Sequence, residues 1–159
     1  KAAAQTLLDM DCDVIAQHCD TVYPQSLAQE RGVYSIGYNS DMSKDAPEAC
    51  LCSVIWNWSA YYTAAVQSVI EGTWDGSNYY GGMSENLVNI TSLADFCAEG
   101  TAEKVEEARA AILSGANGVF DGVIETNTGD TVGEEGKTLD DATITGGINW
   151  YFKTVSVVD

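Results

Sequence analysis

Two apolar runs of strand length break off in clusters of polar and aromatic side chains, and this limits the folds open to the chain. The first is Ser35-Ile36-Gly37-Tyr38-Asn39-Ser40-Asp41-Met42, the second Leu51-Cys52-Ser53-Val54-Ile55-Trp56-Asn57-Trp58-Ser59. Both are too short for amphipathic helices and read as short strands. In an open α/β sheet, ligands bind outside the carboxyl ends of the strands. Asn39, Asp41, Trp56 and Trp58 are therefore expected to form one wall of a small-molecule site, and nothing in the pattern looks like catalytic machinery.

The flanking sequence supplies helices in alternation with strands. Ala2 to Met10 places Ala4, Leu7 and Leu8 on one helical face, and Cys12 to Gln17 holds a buried strand around Val14 and Ile15. Pro24 suits a first helical turn, so a short helix is expected from Pro24 to Arg31, closed by Gly32. Strands follow over Val33 to Tyr38 and Leu51 to Trp56, separated by a polar loop to Glu48. Ser59 is expected to cap a helix on which Tyr62, Ala65, Val66, Val69 and Ile70 share a face and which Gly72 ends. A short strand is expected at Leu87 to Ile90. Thr101 is then expected to cap a helix with Val105, Ala108 and Ile112 turned inward and Gly115 at its end. Val119 to Ile124 reads as a strand bent at Gly122, Thr128-Gly129-Asp130 as a hairpin tip, and Tyr151 to Val158 as a terminal strand. Such alternation predicts an α/β fold: a three-layer arrangement with a mainly parallel sheet flanked by helices. A parallel sheet is normally built strand first, helix second, whereas this chain opens on a helix. We therefore expect it to be part of something longer.

Composition removes several classes of function. The chain has 159 residues, the length of one domain, and 24 Asp and Glu against 7 Lys and Arg give a net charge of −17. The basic residues are scattered singly, and so acidic a chain repels polyanions, so no nucleic-acid partner is expected. No apolar run is long enough for a transmembrane helix. Five cysteines, Cys12, Cys19, Cys50, Cys52 and Cys97, cannot all pair, and Cys50-x-Cys52 lacks redox-motif or zinc-site spacing. They are read as small, semi-buried hydrophobes. Asp9-x-Asp11-x-Asp13 opens like a calcium loop, but Val14 and Asp20 stand where such a loop needs Gly and Glu. No GxSxG, HExxH or Gly-rich phosphate loop occurs, so neither an enzyme nor a cofactor or metal site is expected. The single histidine, His18, ends the strand next to Ser35–Tyr38, where a structural hydrogen bond and a ligand contact both fit.

An ordered series of segments carries a family resemblance. Ala4 to Asp20, Glu30 to Ser43, Ser53-Val-Ile-Trp-Asn-Trp58, Tyr61-Tyr-Thr63, Ile70-Glu-Gly-Thr-Trp74, Tyr80-Gly-Gly-Met83, Ala111 to Gly115, Val119-Phe-Asp-Gly122 and Glu135-Gly-Lys137 together resemble the basic membrane protein (BMP) family. These are substrate-binding lipoproteins of ABC importers for nucleosides and purine bases. The resemblance implies one partial lobe of a type I periplasmic-binding-protein fold, in which two α/β lobes close on a ligand like a clamp. It places this chain in the carboxyl-terminal half of such a protein. Residues 1–90 would form the lobe core with its ligand edge, and 91–159 a helix, a hinge-crossing strand and a terminal hairpin. The amino-terminal lobe, the signal and the lipidated cysteine would lie upstream, and the exposed lobe face would invite dimerisation.

The same resemblance suggests site residues. Nucleoside-binding members hold ribose hydroxyls with an acidic residue just after the Ile-Gly strand, and Asn39 and Asp41 fall there. They carry a Lys after the next strand where this chain has Trp56. An indole in place of that Lys favours a free, adenine-like base over a nucleoside, because a flat ring stacks on it for about 1–3 kcal/mol. Asn39 and Asp41 would bond the base edge, Gln17 and His18 would add polar contacts from the neighbouring strand, and Trp58 is shared between site and core. The function implied is that of an extracytoplasmic receptor, periplasmic or lipid-anchored, delivering a purine or nucleoside to an ABC permease. A ligand-sensing regulatory domain of the same fold is the alternative.

Overall fold

The computed structural model describes residues 2–116 and 118–157. It divides into two compact units, Lys1–Ala102 and Glu103–Asp159. The first is an α/β unit on a four-stranded sheet in the order β1 (Val14–Ala16), β2 (Tyr34–Asn39), β3 (Cys50–Trp56), β4 (Val88–Ile90). β1, β2 and β3 run parallel, and β4 lies antiparallel to β3 at the edge. The register shifts between Ser35 and Ile36, so that Ser35 pairs with Cys50 and Ile36 with Cys52.

Helices α1 (Ala2–Asp9) and α2 (Tyr23–Arg31) pack on each other and against β1. The opening Ala-rich stretch favours helix at little entropic cost, and it buries Ala4 and Leu8 with Ile15 and Leu27. A second cluster joins Ala28 to Met42, Ala46, Ala49 and Cys50 under the β2–β3 loop. α2 starts with Pro24 in its first turn, and Gly32 stops it in the left-handed conformation at φ 68°. Gly37 lets β2 and β3 close up: a methyl group there would collide with the Ser53 hydroxyl and lie 3.1 Å from Met42 Cβ. By register, Val14, Tyr34, Ile36, Tyr38, Cys52, Val54, Trp56, Val88 and Ile90 share the other face of the sheet. None of these nine is buried.

Helix α3 (Trp58–Glu71) departs from two sequence expectations. Asn57 occupies its cap position, and Ser59 lies inside the first turn with its Oγ donating to Asn57 Oδ1 at 2.5 Å. The face expected to pack is open: Tyr62, Val66, Val69 and Ile70 are all more than half exposed, and the helix carries no buried residue. Periodicity tells which side chains share a face and is silent on what covers it. Its end is as expected, with Gly72 left-handed at φ 71°.

The second unit holds most of α4 (Thr101–Leu113) and a small hairpin of β5 (Ile124–Glu125) and β6 (Thr131–Val132). Val105 is half-buried in α4, while Ala108 and Ile112 are exposed rather than inward. The hairpin tip lies where the sequence puts it, with Thr126 N donating to Asp130 O at 2.8 Å and Gly129 at φ 86°. The stretch from Val119 keeps only a bridge between Asp121 and Thr138 before β5, because the chain turns at Gly118–Asp121. The terminal strand expected over Tyr151 to Val158 shrinks to one bridge between Phe152 and Thr126. A turn after it, Val155 N to Phe152 O at 2.8 Å, ends the pairing, and Val158 lies outside the described residues. One π-helical turn, Thr143–Gly147, had no signal in the sequence. Among the described residues no helix is long and apolar enough to cross a membrane.

Candidate functional site

The carboxyl ends of β1, β2 and β3 bring together most of the residues singled out above. His18, on the loop after β1, has its ring centroid 4.3 Å from that of Tyr38 on β2. Tyr38 meets Trp56 on β3 edge to face at 6.3 Å, and Trp56 lies 5.8 Å from Trp58. The row runs on along α3, with Trp58 to Tyr62 at 6.0 Å, Tyr62 to Tyr61 at 5.7 Å and Tyr61 to Tyr79 at 4.7 Å. These spacings are those of interacting aromatic pairs. Trp56 is half-buried, whereas Trp58 is 47% exposed, so Trp58 is the more open of the two rings.

The polar residues divide in two. Asn39 ends β2, and its Nδ2 donates to Asp20 Oδ1 at 2.9 Å, tying the β1–α2 loop to the strand end. Gln17 holds that same loop: its amide faces Cys19 O at 3.1 Å, Thr21 O at 2.8 Å and the Met42 sulfur at 3.3 Å. Its Oε1 accepts from the Cys19 thiol at 3.6 Å. Gln17 is thereby committed within the loop and has little bonding capacity left over. Asp41 turns toward its own backbone, accepting from Ser43 N at 3.0 Å. That bond, with the Lys44 charge nearby, holds its carboxyl below the usual aspartate range despite slight burial. Asp41 also lines a cavity of about 270 Å³ with Ser43, Cys50, Cys52 and the 91–95 segment, and none of the aromatic row lines it.

Two residues of this edge escaped the sequence reading as individual candidates. Tyr38 joins His18 to Trp56, and the strand alternation Ile36, Tyr38 contained that information once its pairing with Val54 is known. Asp20 lies in the loop after β1, and nothing local announces its partner nineteen positions on. The cysteines are free thiols, and burial pushes the Cys52 thiol up, with Cys50 and Cys97 adding to the effect. Among the described residues no cluster of His, Cys, Asp and Glu is arranged to hold a metal ion.

The family model for PnrA-like ABC transporter substrate-binding proteins matches residues 1–119. A purine-binding protein of Brucella abortus (strain 2308) is 34% identical over 149 residues, covering 94% of this chain and 42% of that protein. A Haloferax volcanii protein named as the glucose-binding component of an ABC transporter is 37% identical over 87 residues, covering 55% of this chain and 22% of its own length. The chain thus spans less than half the length of these relatives. Among solved structures, a transcriptional activator of the comK gene from Bacillus halodurans superposes with a TM-score of 0.65 at 18% identity over 73% of this chain and 42% of that one. An ABC transporter solute-binding protein from Conexibacter woesei gives 0.52 at 14% identity over 74% of this chain and 40% of that one. At such identities the likeness speaks for the fold alone.

Proposed function

Because the chain belongs to the PnrA-like family of ABC transporter substrate-binding proteins, we propose that it forms one ligand-holding wall of an extracytoplasmic receptor for a purine base. The observation that carries this reading is the unbroken row His18, Tyr38, Trp56, Trp58 at the carboxyl ends of the strands. A planar heterocycle gains most from such a surface, since stacking on an aromatic side chain is worth about 1–3 kcal/mol per base. The polar pair Asn39 and Asp20 stands at the same edge and would orient the ring. The purine-binding relative aligned over nearly the whole chain supports the choice of ligand. An opposing lobe would supply the other wall, closing on the ligand by favouring the closed state, and an ABC permease would receive it. On this reading the chain's work is binding, and no reaction is assigned to it.

Trp56 and Trp58 make the proposal accessible to fluorescence. Titrating adenine into the full-length gene product is expected to quench tryptophan emission saturably, and Trp56→Phe with Trp58→Phe is expected to remove most of the signal. Adenosine should compete weakly and glucose not at all. Saturable quenching by glucose and none by adenine would contradict the proposal.

A further inference from the structure

After β4 the chain keeps to the flank of β3: Thr91 N donates to Ser53 O at 2.9 Å and Ala94 N to Leu51 O at 2.8 Å. A turn follows, closed by Cys97 N to Ala94 O at 3.0 Å. Within that turn Phe96 stacks on Tyr34 of β2, with ring centroids 5.9 Å apart. Since β3 lies between β2 and β4, Phe96 reaches Tyr34 by passing over the start of β3. It does so on the sheet face that carries Tyr34 and Cys52 by register. The same turn brings Cys97 to the Cys52 side of the sheet, one interstrand spacing and one turn of chain away. Both cysteines are half-buried, and neither thiol has a hydrogen bond among the described residues.

The other three cysteines are placed elsewhere. Cys12 packs beside Ala4, Leu8, Ile15 and Leu27, and the Cys19 thiol donates to Gln17 Oε1 at 3.6 Å. Cys50 is buried in the cluster with Ala28 and Met42, its thiol donating to Cys52 O at 3.3 Å. We propose that Cys52 and Cys97 form an oxidisable pair whose disulfide clips the segment between β4 and α4 onto β3, and that the modifying agent is a disulfide-bearing oxidant. The inference draws on the family's extracytoplasmic setting, where protein thiols oxidise, and not on the choice of ligand. One thiolate attacks the oxidant's S–S bond, forming a mixed disulfide and releasing one thiol; the other protein thiolate attacks the mixed disulfide and displaces the second. Two protein thiols give up two electrons and two protons, and the oxidant leaves as two thiols. Burial pushes the Cys52 thiol up, with Cys50 and Cys97 adding to the effect, which suits Cys52 to the second, intramolecular attack. The closed loop contains α3, β4 and the aromatic rings from Trp56 to Tyr79. Closing so long a loop stabilises a fold chiefly by constraining the unfolded chain.

Treating the full-length gene product with oxidised glutathione, followed by alkylation and non-reducing peptide mapping, tests this. Chymotrypsin is the protease to use, because no Lys or Arg lies between Cys50 and Cys97 and trypsin would leave them in one peptide. The expected product is a linked pair of peptides carrying Cys52 and Cys97, lighter by two hydrogens than the sum of the reduced pair. Oxidation is expected to raise the melting temperature by about 5–10 °C in the wild type, and to leave Cys52→Ser and Cys97→Ser unchanged. Recovery of Cys52 and Cys97 as alkylated thiols or glutathione adducts, or a link from either to Cys50, would overturn the pairing. A Cys52–Cys97 link with no rise in melting temperature would overturn its role as a clip.

Discussion

Trp56 and Gly37 show how much rests on single side chains of the β2–β3 pair. Gly37 faces Ser53 and Met42 with no room for a methyl group. Gly37→Ala is therefore expected to destabilise the fold by about 1–3 kcal/mol, the usual cost of overpacking a tight site, and chemical denaturation measures it. A midpoint unchanged from wild type would show that the strands can part without penalty. Asp41 gives a pH prediction. Its carboxyl is held below the ordinary range by the Ser43 amide, so its support for the turn is complete above the unfolded aspartate value of about 3.9. That support fades only as pH falls through the lower folded value. The amide proton of Ser43, followed by NMR, should shift with a midpoint below that of a model aspartate; a midpoint at or above it would contradict the assignment. At this scale the sequence was informative about type and vague about partners. It marked Asn39, Asp41, Trp56 and Trp58 as a set, yet Asp41 serves its own turn and Asn39 bonds Asp20. Which polar side chain bonds which across a sheet depends on register, and register is not written locally.

Elements were far more legible than their surroundings. Helices ended at Gly32 and Gly72 because only a residue tolerant of positive φ closes a helix that way at no steric cost. Strand positions followed from short apolar runs between turn residues. The face of α3 shows the limit: its apolar stripe is regular, and yet Val66, Val69 and Ile70 lie open. Stability should distinguish the two kinds of apolar residue. Ile15→Ala, in the cluster under α1 and α2, is expected to cost about 2–5 kcal/mol. Ile70→Glu, at 73% exposure, is expected to stay within about 0.5 kcal/mol, as surface changes do. Thermal unfolding of the two variants side by side checks this, and a large loss in Ile70→Glu would mean that this face is covered.

For the whole molecule, alternation of helix and strand was enough to predict a mainly parallel α/β sheet, and the structure has one, with an antiparallel edge strand. The second unit was harder to read. Its strands are two residues long, its bridges isolated, and its order depends on turns such as Gly118–Asp121 more than on apolar periodicity. On the proposed reading, ligand choice is a property of the assembled edge: rings from three strand ends and the start of α3 form a continuous aromatic row that no single segment announces. The most direct test of the central claim is isothermal titration of adenine into the full-length gene product and its Trp56→Ala variant. The account predicts saturable adenine binding that weakens by about 5- to 150-fold in the variant, the equivalent of about 1–3 kcal/mol of stacking. Adenine binding that is indifferent to Trp56→Ala, or no adenine binding by the wild type, would contradict it.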